Sequence, residues 1–164
     1  MVTVRRALVL AILMFWQGGF TFYAAVVVHV GHEVLSRRLQ GFVTRRVTNY
    51  LNVAGVIALP LLAWDTAALG RGLQTAPQRR GRRALRWLCW GGLAITLGLL
   101  VWMHRHLDTL LDPTAFEVLD PDAFYPAHRW YLHVSTVQWA CALAYGLLAL
   151  LDWRDEDRRL PCPS

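Results

Sequence analysis

Ala7 to Ser36 reads ALVLAILMFWQGGFTFYAAVVVHVGHEVLS, and this run limits the fold more than any other stretch of the chain. As a helix, Ala7 to Val30 would be about 36 Å long, against a hydrocarbon core of about 30 Å. Arg5 and Arg6 stand just before it, as they would before a signal sequence. The run outlasts a typical signal core of roughly 7–15 residues, so it reads as an uncleaved span. Three further apolar blocks follow, giving spans at about 7–30, 47–69, 84–103 and 130–151. The pattern predicts an all-α integral membrane bundle of four transmembrane helices, forming one membrane domain over residues 1–164.

Composition supports this placement. Apolar residues make up 55% of the chain, and they come in blocks with the charges between them. All 17 basic residues are arginines, and they flank the blocks as loop arginines of membrane proteins do. That distribution argues against nucleic-acid binding. With four spans, Arg5, Arg6, Arg71, Arg79, Arg80, Arg82, Arg83, Arg86, Arg154, Arg158 and Arg159 share one side. Arg37, Arg38, Arg45, Arg46, Arg105 and Arg129 lie on the other. The excess places both termini in the cytoplasm, in a bacterial-type inner membrane. The cluster Arg79, Arg80, Arg82, Arg83 and Arg86 then reads as a topology determinant facing anionic lipid headgroups. Trp64, Trp87, Trp90 and Trp153 mark the same inner interface, and Trp102 and Trp130 the outer one.

The connections carry their own signals. Gly31 to Arg46 has an amphipathic look and reads as a continuation of helix one or a helix in the interface. Pro60 interrupts the second span, and Asp65 near its end is expected at headgroup level. Residues 104–129 form an acidic outer loop with Asp108, Asp112, Glu117, Asp120 and Asp122. Gly18, Gly19, Gly91, Gly92 and Gly98 suggest close helix packing, and Gln17 should turn into the bundle to find a partner.

The histidines invite a sharper hypothesis. His29 and His32 end the first span, His104 and His106 end the third, and His128 and His133 flank the start of the fourth. All six fall at one end of the bundle. Imidazoles from three helices, with His29, His32, His104 and His133 as the candidates, would suit zinc, copper or a haem iron. The plainer reading is interfacial: histidine sets a polar tip at the water boundary. His32-Glu33 begins like a zinc-peptidase motif, but Ser36 stands where its second histidine belongs. No phosphate-binding loop, nucleophile elbow or dinucleotide fingerprint is present, so the chain does not read as an enzyme. Cys89, Cys141 and Cys162 are widely spaced and form no metal or redox motif.

The segments FWQGGFTFY (Phe15 to Tyr23) and GFVTRRVTNYLN (Gly41 to Asn52) resemble the small four-helix membrane proteins of a domain-of-unknown-function type, the transmembrane protein 205-like group. The likeness covers the first two spans and implies fold and location only, because that group lends no catalytic residues. The group leads one to expect a proline near the end of helix one, where this chain has His29 and Gly31.

Three functional classes stay open at this point. One is a non-enzymatic protein that packs in the bilayer with itself or with a membrane-protein partner. A second is a haem or metal carrier using the outer histidines. A third is a small transporter subunit using Asp65, Gln17 and Asn52.

Overall fold

A computed structural model describes residues 2–35, 37–69, 77–112 and 117–158. Four long helices dominate it: α1 (Val2–Val34), α2 (Arg37–Leu69), α3 (Pro77–Thr109) and α4 (Pro121–Asp157). Each carries a stretch long and apolar enough to cross a bilayer. The helices exceed the apolar blocks because their amphipathic ends stay helical. Only Leu35, in extended conformation, and the residue after it separate α1 from α2. The segment after Gly31 therefore belongs mostly to α2, and no separate interfacial helix forms.

The acidic connection is more ordered than a solvated loop. Helix α3 runs on to Thr109, and a short hairpin follows in which β1 (Leu111–Asp112) pairs antiparallel with β2 (Glu117–Val118). Asp120 then caps α4, its carboxylate accepting from the Ala123 amide at 3.0 Å, with Pro121 in the first helical turn. Both features are standard helix starts: the cap supplies an acceptor for a free amide, and proline needs none.

Helix α1 contains two π-turns, Met14–Gly18 and Tyr23–Val27. Each turn takes up one extra residue and re-aims the helix face. Trp16 and Gln17 in the first turn and Tyr23 in the second thereby face the bundle. The Trp16 ring lies across Gly55 of α2, where an added Cβ would sit 2.8 Å from it. At the other end Gln40 occupies the place of a side chain on Gly31, 1.9 Å from where the Cβ would be. Among the glycines expected to pack, Gly92 abuts Cys141 and Gly19 touches Leu51. Gly18, Gly91 and Gly98 differ: a Cβ on any of them meets nothing within 4 Å. Those three lie on outward faces, so they do not mediate packing within this bundle.

Helix α3 packs most extensively on α4, and α2 packs on both α1 and α3. Val9, Trp16, Leu62, Leu93, Leu97 and Tyr145 anchor the main core. On α4, the buried residues Tyr131, Ser135, Gln138, Ala142, Tyr145, Ala149 and Trp153 follow the three-and-four spacing of one helix face. The polarity runs opposite to that of a water-soluble bundle. Met14, Phe15, Leu88, Ile95, Trp102 and Trp130 are largely exposed, while Arg5, Gln17, Asn52, Asp65 and Arg86 are buried.

Candidate functional site

The chemistry of this bundle is concentrated at the end where α1 begins and α4 finishes. Asp65, near the end of α2, has no exposed surface. Arg5 Nε of α1 lies 2.9 Å from its Oδ1, and Arg86 Nη2 of α3 donates to its Oδ2 at 2.6 Å. The indole of Trp153 on α4 donates to Oδ1 at 3.3 Å. One carboxylate is therefore contacted from all three neighbouring helices. The arrangement follows from the order of the spans. Spans one and three begin at this end with arginines, and spans two and four finish here with carboxylates.

Arg86 is the other hub. Its Nη2 donates to the Tyr145 hydroxyl at 2.8 Å, its Nη1 donates to Asp152 at 3.2 Å, and its guanidinium lies 4.9 Å from the centre of the Tyr145 ring. Tyr145 in turn donates to the Leu62 carbonyl at 2.6 Å and sits 2.9 Å from the Thr66 hydroxyl. Outward from this centre the pairs become more exposed. Arg5 reaches Glu156 at 3.0 Å, and Arg6 reaches Glu156 and Asp157, each at 2.8 Å. Arg82 pairs with Asp152 and Asp155. Arg82 and Arg86 are one helical turn apart on α3, which puts both on the face turned toward α4. Across the network, the guanidinium groups of Arg5, Arg6, Arg82 and Arg86 face Asp65, Asp152, Asp155, Glu156 and Asp157.

Burial at this end changes the expected surroundings of Arg86, Asp65 and Trp153. Arg86 is not a headgroup-facing arginine: its side chain is 1% exposed and spent on Asp65, Asp152 and Tyr145. Asp65, expected at headgroup level, is buried between the helices, and the two arginines supply the neutralisation that water would otherwise give. Of the remaining cluster, Arg80 is exposed and Arg83 half-buried, and the Arg79 side chain lies outside the described residues. Trp153, expected as an interface marker, is buried against Asp65 instead.

Other polar side chains are buried away from this end. Gln17, Asn52, Thr96, Ser135 and Gln138 are all buried. Thr96 and Ser135 return their hydroxyls to their own helices, and Asn52 bonds Tyr131. Gln17 did turn inward, but its Nε2 and that of Gln138 find no partner.

The histidine end is organised differently. His29, His32, His106 and His133 are exposed, His106 stacking on Trp102 and His133 meeting Trp130 edge-on. His128 stacks on Phe124, and His104 lies 3.8 Å from Asp108, which also pairs with Arg45. Among the described residues, no three histidine, cysteine or carboxylate side chains are grouped so as to hold a metal ion. His104, His106, His128 and His133 instead each have an aromatic or carboxylate neighbour on their own helix.

The described bundle thus defines a class: a four-helix, all-α protein with an apolar exterior and a charged, internally paired end. No protein-family model, no curated protein and no solved structure matches the chain. The resemblance to the transmembrane protein 205-like group therefore rests on the two sequence segments alone.

Proposed function

We propose that this is a non-enzymatic integral membrane protein of the inner membrane, with both termini cytoplasmic, acting as a packing or accessory element beside itself or a membrane-protein partner. The observation that carries this reading is the use of charge. Among the described residues, Arg5, Asp65 and Arg86, the buried ionised groups at the charged end, are each paired with a group on another helix of the same chain. A site that takes a charged substrate keeps a charge free for it; here the buried charges lock the four helices together. The apolar exterior supports burial in a bilayer, where unpaired ionised groups are too costly to keep.

A second reading has one observation in its favour. The Nε2 atoms of Gln17 and Gln138 are buried without a partner, as groups kept for a polar substrate of a small transporter subunit would be. Flux measurements separate the two. Purified protein in vesicles loaded with a pH-sensitive or potassium-sensitive dye is expected to leak no faster than empty vesicles. Flux above that background, lost in Gln17→Leu with the fold intact, overturns the packing role and establishes transport.

A further inference from the structure

The geometry points to an anionic phospholipid site in the groove between the start of α1 and the end of α4. The groove is a shallow, open depression of about 500 Å³ lined by Arg6, Leu150, Trp153, Arg154, Asp157 and Arg158. Arg6 and Asp157 neutralise each other across it at 2.8 Å. Arg154 and Arg158 remain: both are exposed, and neither side chain has a partner among the described residues. They are one helical turn apart on α4, so two guanidinium groups face the same side, as a phosphate with several acceptor oxygens requires.

What lies beneath the arginines decides between a lipid and a free phosphate. Leu150, Leu147 and Leu143 continue the same face of α4 toward the middle of the helix, and they are 50%, 63% and 48% exposed. A paired cationic clamp above a continuous apolar stripe matches a phosphate headgroup joined to an acyl chain. Trp153, buried against Asp65, lines the groove between the two. The site rests on the bilayer placement proposed above and supplies that reading with a specific lipid class. Two further arginines at an anionic leaflet also add to the pull on this end of the protein.

The test is native mass spectrometry of the full chain in mild detergent, titrated with phosphatidylglycerol and phosphatidylcholine of identical acyl chains. The wild-type protein is expected to retain phosphatidylglycerol with a preference of roughly tenfold. The variant Arg154→Gln/Arg158→Gln should lose that preference, while Arg129→Gln, at the opposite end, should keep it. Leu150→Trp fills the groove floor without touching the charges and should lower retention at unchanged helicity. Equal retention of both lipids by the wild type, or an undiminished preference in the double variant, overturns the site. Displacement of the lipid by an equal concentration of glycerol 3-phosphate also overturns it, because the groove would then be a free-phosphate site. None of these outcomes bears on the flux assay, so a failure here leaves the packing role standing.

Discussion

Arg86 on α3 and Asp65 on α2 meet at 2.6 Å with almost no surface of either exposed, and this contact is the centre of the charged end. Removing one partner of a buried pair strands the other. Arg86→Met is expected to cost roughly 3–5 kcal/mol, visible as a large fall in thermal unfolding temperature in detergent. Arg80→Gln, on an exposed side chain of the same helix, should leave that temperature nearly unchanged. Equal behaviour of the two variants would contradict the pairing.

Tyr145 links the same centre to the backbone of α2 through the Leu62 carbonyl. Tyr145→Phe keeps the ring under Arg86 but removes a hydroxyl that serves Leu62, Thr66 and Arg86. Loss of that buried hydroxyl should cost roughly 1–3 kcal/mol. The measurement is again thermal unfolding, and an unchanged midpoint would mean that the three groups find other partners.

Glycine substitutions should divide by position. Gly55→Ala places a methyl group 2.8 Å from the Trp16 ring and is expected to cost about 1–3 kcal/mol through overpacking. Gly98→Ala meets open space and should stay within about 0.5 kcal/mol. A shift in oligomeric state in Gly98→Ala, at unchanged stability, would show that this outward face packs on another chain.

The histidine end gives a prediction of its own. With His29, His32 and His133 exposed and His104 beside Asp108, the purified protein is expected to carry iron, copper and zinc only at trace level and to show no Soret band. Elemental mass spectrometry of the wild type beside His29→Ala/His133→Ala checks this. Near-stoichiometric metal that falls in the variant would establish the histidine site.

The helices were legible because apolar blocks of bilayer length leave few other folds. Their true ends were not, since residues such as Gly41 to Arg46 or Asp108 are polar enough to pass for loop while remaining helical. The π-turns of α1 left no mark beyond Gly18-Gly19, because an extra residue per turn does not break the apolar run that holds Trp16 and Tyr23. The charged end was half visible. Counting arginines gave an orientation but treated Arg86 as a charge facing lipid, while its partners Asp65 and Asp152 stood at the ends of the neighbouring spans. Arginines at the starts of odd spans and carboxylates at the ends of even spans share a depth. That rule would have found the network.

Arg5 and Arg6 are joined to Glu156 and Asp157 across almost the whole chain. During synthesis, α1 leaves the ribosome long before α4 exists. Asp65 can meet Arg5 and Arg86 once three helices are made, but Arg6 and Arg82 find their acidic partners only when α4 arrives. The last helix thus neutralises charges that the first and third helices carried in before it.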